Sequence, residues 1–115
     1  MSFLTQRPRR LRANSAWRGM VAETTLSARD FVYPLFVIDG ENVVNPIASM
    51  PGVAQLSIDK LVEESRRAHA LGVPAVILFG IPDAKDARGS GADAADGIVQ
   101  RAVAAARRAA PDLCV

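Results

Sequence analysis

The hydrophobic pattern of this chain is organised around one nearly continuous apolar run, Phe31 to Ile38. Because polar positions do not alternate within it, the run predicts a β-strand buried on both faces, as in parallel sheets. Asp39-Gly40 predicts a turn directly after the strand. Proline lacks the N–H that a strand ladder needs, so we expect Pro34 at the start of the strand.

A short excursion and the clearest helix follow this strand. Glu41 to Val44 is β-prone, and Pro51-Gly52 suits the central positions of a type II turn. Ser57 to Leu71 has helical periodicity, with Ser57 as a candidate N-cap and Gly72 just past the last turn. The predicted inner face of the helix consists of Ile58, Leu61, Val62, Ser65, Ala68 and His69.

The remaining pattern repeats the same order of elements. Ala75 to Phe79 predicts a second buried strand bounded by Gly80, and Ile81 to Gly97 predicts a polar loop. Ile98 to Ala110 predicts an amphipathic helix, and Leu113 to Val115 begins a third strand. Alternating strands and helices predict an α/β fold with a parallel sheet. Alternation alone does not distinguish a doubly wound sheet from part of a (β/α)₈ barrel.

Composition is consistent with this fold class, and it argues against disulfide-bonded, membrane and secreted proteins. The 115 residues suffice for one domain, and half of them are hydrophobic while only 5% are aromatic. The single cysteine excludes an internal disulfide and favours a reducing, cytoplasmic location. The chain contains no apolar run near eighteen residues, so we expect no membrane association. The N-terminal arginines are not followed by the apolar segment of a secretory signal.

Positive charge is concentrated at the N-terminus, although the net charge is only +2. Residues 1–26 are predicted to form an arm, with a short helix between Leu11 and Val21. Interleaved aromatic residues for base stacking are absent, so we expect no nucleic-acid partner. Arginine and tryptophan instead favour an arm that lies on a protein partner. After the arm, Ser27 and Asp30 have the spacing of a capping box. The arginines are Arg7, Arg9, Arg10, Arg12 and Arg18.

The loop after the second strand is the first candidate for chemistry, because ligands bind at the carboxyl ends of strands in α/β folds. Asp83, Lys85 and Asp86 have the groups for acid–base or Schiff-base chemistry. Gly89-Ser90-Gly91 resembles a phosphate cradle only faintly, because the spacing of a P-loop is missing. The favoured interpretation is a solvated loop.

Three single residues complete the candidates. His69 has no ligand partner at metal-site spacing, so a packed structural histidine is expected. Lys60 is predicted to be a surface lysine on the polar helix face. Cys114 lies in an apolar stretch that is predicted to be buried, and the chain has no second cysteine. We therefore expect an unreactive thiol in the core.

Taken in order, several segments closely resemble the N-terminal part of the porphobilinogen synthase family, also called delta-aminolevulinic acid dehydratase. The resemblance extends from about Arg7 to the last residue. Its segments are Arg7-Pro8-Arg9-Arg10-Leu11-Arg12, Glu23-Thr24-Thr25-Leu26-Ser27, Tyr33-Pro34-Leu35-Phe36-Val37, Pro46-Ile47-Ala48-Ser49-Met50-Pro51-Gly52-Val53, Leu78-Phe79-Gly80-Ile81-Pro82, Lys85-Asp86-Ala87-Arg88-Gly89-Ser90 and Gly97-Ile98-Val99-Gln100-Arg101-Ala102. The alanine-rich stretch 92–96 departs from the usual pattern.

The resemblance implies a TIM (β/α)₈ barrel whose extended N-terminal arm embraces another subunit of a homo-oligomer. It implies condensation of two 5-aminolevulinate molecules to porphobilinogen in tetrapyrrole and haem biosynthesis. It also implies that two lysines on later strands form Schiff bases with the substrates and that zinc or magnesium assists. On this reading, residues 1–26 are the arm and residues 27–115 are the first β/α units of an incomplete barrel.

The resemblance places the family's functional residues beyond Val115. Lys60, Lys85 and Cys114 do not match its catalytic lysines or metal motif, so no catalytic, cofactor-binding or metal residue is assigned within this sequence. A barrel takes about 250 residues, and a few strands alone leave open edges that promote aggregation. The isolated chain is therefore expected to be inactive and poorly folded. The alternative hypothesis is a non-catalytic short chain that docks onto a full-length subunit.

Overall fold

The apolar run at Phe31 forms the central strand of a four-stranded sheet. The computed structural model describes residues 9–115, so the part of the arm that contains Arg7 and Pro8 lies outside the described residues. The strands are β1 (Val32–Ile38), β2 (Val44–Pro46), β3 (Ala54–Leu56) and β4 (Ala75–Ile81). The helices are α1 (Ser15–Met20), α2 (Ile58–Ala70), α3 (Ser90–Asp93) and α4 (Ile98–Ala109), with 3₁₀ turns at Arg10–Arg12 and Ala28–Asp30.

The strand order is β2-β3-β1-β4. β1 and β4 are parallel and pair from Val32↔Ala75 to Ile38↔Ile81, which confirms the predicted parallel arrangement. The predicted third strand begins beside β4, because Cys114 forms a parallel bridge with Ala75. The N–H of Val76 donates to the carbonyl of Cys114 at 2.9 Å.

Two strand boundaries differ from the sequence prediction. Pro34 is the third residue of β1 rather than its first. It is tolerated there because β3 pairs only with Phe36 and Val37, so one edge of the N-terminal half of β1 needs no donor. β4 continues through Gly80 to Ile81 instead of ending before the glycine. The first turn of α4 packs against Gly80 so closely that a Cβ there would lie 2.4 Å from Val99 Cγ2.

A short antiparallel hairpin, β2–β3, lies beside β1. Its turn contains the predicted Pro51-Gly52 pair: the N–H of Val53 donates to the carbonyl of Met50 at 3.0 Å, and Gly52 has φ +85°. These are the features of a type II turn. The two strands have three residues each. The predicted β-prone piece, Glu41 to Val44, reaches only the first residue of β2, and β3 was not predicted, because such short strands carry too little hydrophobic periodicity.

α2 begins and ends close to the predicted positions, with Gly72 at φ +89° after its last turn. Ser57 occupies the N-cap position but does not cap the helix through its hydroxyl. Instead, the Ser57 hydroxyl oxygen accepts from the N–H of Val43 at 2.9 Å. Ser57 is completely buried. Its hydrogen bond with Val43 joins the start of α2 to the segment after β1.

The hydrophobic core lies between one face of the sheet and helices α2 and α4. It is formed by Leu35, Val37, Leu56, Leu61, Val76, Ile98, Ala102, Ala106, Ala110 and Leu113. On the opposite face of the sheet, Ile77 and Phe79 are about half exposed, and the rings of Phe36 and Phe79 are 5.5 Å apart. Nothing in residues 9–115 covers this second face, although the sequence predicted strands buried on both faces.

The segment from residue 9 to β1 contributes no buried residue to the hydrophobic core described above. Asn14 caps α1 at its N-terminus, and its side-chain oxygen accepts from the N–H of Trp17 at 3.0 Å. The predicted capping box is present, because the N–H of Ser27 donates to Asp30 Oδ2 at 2.6 Å and Ser27 Oγ accepts from Arg29. The large apolar side chains in and around α1 are exposed: Leu11, Trp17, Met20 and Val21.

Ser65 provides a test of the packing between α2 and the core. Its hydroxyl is completely buried, and it has no hydrogen-bond partner in the described part of the chain. An unpaired buried hydroxyl costs about 1–3 kcal/mol, so Ser65→Ala is expected to leave the free energy of unfolding unchanged or to raise it. Ser57→Ala is the control and is expected to destabilise, because the N–H of Val43 loses its acceptor. Urea unfolding of a full-length protein that contains residues 1–115 measures both, and a large loss of stability for Ser65→Ala would contradict the assignment.

Candidate functional site

The carboxyl ends of β1 and β4 lie side by side and define the edge at which chemistry was expected. Ile38 and Ile81 are paired in register, so the turn at Asp39 and the loop 82–97 leave the sheet next to each other. Ligands of α/β proteins bind at such an edge. The candidate residues predicted from the sequence, Asp83, Lys85 and Asp86, lie in this loop.

Asp86 has a structural role in the loop. Its carboxylate accepts from the N–H groups of Arg88 and Ser90, both at 3.0 Å, and from the Ser90 hydroxyl. The bond from the Ser90 hydroxyl contributes most to lowering the pKa of Asp86, and the backbone N–H of Ser90 adds to it. A carboxylate held ionised in this way is a poor proton acceptor. The Gly-Ser-Gly segment therefore serves the turn, with Gly89 at φ +65°.

The other candidate residues are not brought together. Asp83 and Lys85 are exposed, and residues 9–115 contain no group of three His, Cys, Asp or Glu side chains placed to hold a metal ion. Lys60 is partly exposed and pairs with Glu63 Oε2 at 3.1 Å. These positions agree with the interpretation of solvated side chains.

Two predictions about buried residues are wrong. His69 is exposed at the end of α2 rather than packed, because the buried stripe of the helix is narrower than predicted and consists of Leu61, Ser65 and Ala68. Cys114 is exposed as well. Side chains alternate along extended backbone, so Leu113 enters the core while Cys114 lies on the other side.

Contacts that the sequence did not reveal fasten the loop to α4. Gln100 Nε2 donates to the carbonyl of Ala92 at 2.8 Å, and Arg101 Nε donates to the carbonyl of Asp96 at 2.8 Å. Arg101 also forms an ion pair with Asp39. One arginine therefore connects the loop after β4 with the turn after β1, through Asp96 and Asp39, which are 57 positions apart in the chain.

Arg101→Ala is expected to loosen the loop without unfolding the protein. The ion pair is partly exposed, and such pairs contribute about 1 kcal/mol or less to global stability. Limited proteolysis with mass mapping, on a full-length protein that contains residues 1–115, should show faster cleavage within 82–97. Arg107→Ala, an exposed arginine on the same helix, is the control and should leave the cleavage pattern unchanged. Equal cleavage of both variants would show that Arg101 does not hold the loop.

A groove with a volume of about 390 Å³ lies at a different place, beside the N-terminal half of β1. Its floor contains Pro34, Leu35 and Phe36, and its rim carries charged residues of α2. The hydroxyl of Tyr33 donates to Glu64 Oε1 across it at 3.2 Å. Desolvation, followed by the nearby Glu64 carboxylate, raises the pKa of Tyr33. The sequence did not predict this groove, because it depends on where the hairpin β2–β3 stops.

No helix in residues 9–115 is long and apolar enough to cross a membrane.

Comparison with known proteins gives one consistent result. The family model for delta-aminolevulinic acid dehydratase matches residues 5–115. Delta-aminolevulinic acid dehydratase of Synechococcus elongatus is 54% identical over 113 residues, which are 98% of this chain and 35% of that protein. The Halalkalibacterium halodurans protein of the same name is 49% identical over 110 residues, 96% of this chain and 34% of its own length.

A solved structure agrees with these matches. Delta-aminolevulinic acid dehydratase (porphobilinogen synthase) of Toxoplasma gondii, in complex with the reaction product porphobilinogen, superposes with a TM-score of 0.87 at 38% identity. The match covers 96% of this chain and 32% of that one. The chain thus spans about a third of the length of the relatives it matches. It belongs to the delta-aminolevulinic acid dehydratase family and corresponds to the N-terminal portion of such a protein.

Proposed function

We propose that this chain is the N-terminal third of an enzyme that condenses two 5-aminolevulinate molecules to porphobilinogen, in tetrapyrrole and haem biosynthesis. The observation that carries the proposal is the likeness along nearly the whole chain to a structure solved with porphobilinogen bound. Identity of 54% to a curated relative supports it. Within this proposal, the segment supplies scaffold rather than reacting groups.

The proposed scaffold is the first part of a (β/α)₈ barrel, with residues 1–26 as an arm and residues 27–115 as the first β/α units. The parallel pair β1–β4 and the bridge at Cys114 support it, since they give three adjacent strands joined by α2 and α4. The uncovered face with Ile77 and Phe79 supports it too. Such a face is covered by the other strands when a barrel closes.

We assign the catalytic lysines and the metal to the part of the protein outside this chain. The resemblance implies Schiff-base lysines and zinc or magnesium. The donor set in residues 9–115 does not fit a metal site, because no three ligand side chains converge there. The lysines in this part of the chain are an ion-paired Lys60 and an exposed Lys85, so no step of the reaction is derived through them.

The arm is proposed to bind another subunit of a homo-oligomer in the cytoplasm. Trp17 and Arg18 lie on α1, and both residue types are enriched in the energetically important parts of interfaces. Leu11, Met20 and Val21 add exposed apolar surface. A surface of this kind is costly in water unless a partner covers it.

A fusion protein tests the proposed function. Residues 1–115 are joined to the portion of the Synechococcus elongatus relative that lies beyond the matched region, and porphobilinogen formation from 5-aminolevulinate is measured. We expect an active, oligomeric enzyme, with no activity from either part alone. A folded but inactive fusion would contradict the proposal. Co-purification of the 115-residue chain with the intact relative would then favour the alternative, a non-catalytic docking module.

A further inference from the structure

The side chain of Arg101 reaches two segments that follow different strands. Its Nε donates to the carbonyl of Asp96 at 2.8 Å, in the loop after β4. The same guanidinium group forms an ion pair with Asp39, in the turn after β1. A guanidinium group is planar and carries five N–H donors, so both contacts can be made at the same time. Movement of the loop 82–97 away from the turn breaks at least one of them.

These contacts lie at the carboxyl edge of the sheet. Ile38 and Ile81 are paired in register, so Asp39 is among the first residues beyond that edge. The first turn of α4 packs against Gly80, next to the same edge. Gln100, on this turn, holds the loop by a further hydrogen bond. The start of α4 therefore fastens the loop beside the ends of β1 and β4.

We infer that Arg101 is a positioning residue for the substrate site. The inference rests on the proposed function. In (β/α)₈ barrels, the site is built from the loops at the carboxyl ends of the strands, and the loop 82–97 and the turn at Asp39 are two such segments. Arg101 holds the loop in the conformation that forms part of the wall of the site. It acts through the loop and Asp39, and no contact with substrate is assigned to it.

The expected effect is on substrate affinity. A loop that is held in place before binding loses less conformational freedom when substrate binds. Without Arg101, the competent loop conformation is populated less, and the apparent affinity falls in proportion. The ion pair with Asp39 is partly exposed, and a pair of this kind can change such a population by up to about fivefold. The reacting groups are assigned to the part of the protein outside this chain, so kcat should change little.

Steady-state kinetics of the fusion protein tests the inference. Arg101→Ala is expected to raise KM for 5-aminolevulinate about two- to fivefold, with kcat nearly unchanged. Asp39→Ala should raise KM as well, and the double variant should match Arg101→Ala, because the two residues act as one unit. Arg101→Lys should lie between the unaltered fusion and Arg101→Ala. Its ammonium group keeps the charge but lacks the planar fork that serves two acceptors at once.

Arg66→Ala is the matched control. Arg66 Nε also donates to a backbone carbonyl, that of Ala109 at 3.2 Å, and so joins α2 to α4. Ala109 is the last residue of α4, so this bond lies at the opposite end of the helix from Arg101. Arg66→Ala should leave KM unchanged. Thermal unfolding should show small losses of similar size for Arg66→Ala and Arg101→Ala, which separates positioning of the loop from a general loss of stability.

An unchanged KM for Arg101→Ala in an active fusion, or an equal rise for Arg66→Ala, would overturn the inference. Hydrogen exchange with added porphobilinogen gives a measurement that does not depend on turnover. Porphobilinogen should slow exchange within 82–97, and it should do so less in Arg101→Ala than in the unaltered fusion. An inactive fusion with this difference would contradict the proposed function but support the inference. Absence of any such protection in the unaltered fusion would overturn the inference.

Discussion

Replacing Leu61 with alanine is expected to lower the free energy of unfolding by about 2–5 kcal/mol. Leu61 is completely buried and is the largest side chain of α2 in the core. It packs in the cluster that contains Leu35, Val37 and Leu56, so the substitution removes apolar contacts and leaves a cavity between helix and sheet. Such a loss is a large fraction of the stability of a typical domain, which is about 5–15 kcal/mol.

Leu71→Ala is the matched control for this prediction, because it makes the same chemical change at the end of the same helix. Leu71 is 68% exposed, and its replacement is expected to change stability by about 0.5 kcal/mol or less. Urea unfolding of the fusion protein and its two variants gives both values. Similar losses for Leu61 and Leu71 would show that α2 does not bury the predicted face.

Gly80→Ala is expected to cost about 1–3 kcal/mol through overpacking. The added Cβ would lie 2.4 Å from Val99 Cγ2 and 2.9 Å from Ile98 Cγ2. Both neighbours are β-branched side chains on the first turn of α4, and such side chains have little rotamer freedom. The helix must therefore shift away from β4, and the contacts that Gln100 and Arg101 make with the loop shift with it.

A second-site change distinguishes this cause from a general loss of fold. Val99→Ala removes the nearest methyl group, so the double variant Gly80→Ala, Val99→Ala should regain part of the lost stability. Gly19→Ala is the control, because nothing lies within 4 Å of the added Cβ and alanine is favoured over glycine in a helix. Thermal unfolding of the fusion variants measures these effects. Absence of rescue would place the strain elsewhere.

Local patterns predicted most of the elements that later share the core. The run at Phe31, the periodicity from Ser57 and the apolar segment at Ala75 became β1, α2 and β4 with boundaries changed by a few residues. The capping box at Ser27 and the turn at Gly52 were also correct. These features succeed because they depend on bonds between residues that are close in sequence.

Single-residue environments were predicted less well. His69 and Cys114 lie in stretches with apolar neighbours, but both are exposed. Hydrophobicity gives the average burial of a stretch, whereas the direction of one side chain decides its own exposure. Asp86 is a similar case, because its hydrogen bonds to Ser90 form only when the loop closes into a turn.

By itself, the sequence determined the order of β1, α2, β4 and α4, the absence of P-loop spacing after β4, and the resemblance to one enzyme family. Those conclusions depend on spacing and residue type along the chain. Only the tertiary structure decided that Arg101 joins two distant loops and that α4 packs directly against Gly80. It also decided that half of one edge of β1 is unpaired within residues 9–115 and lies beside a groove. The reason is physical: pairing across a sheet and packing between layers join residues that are far apart in sequence, and local preferences do not specify those distances.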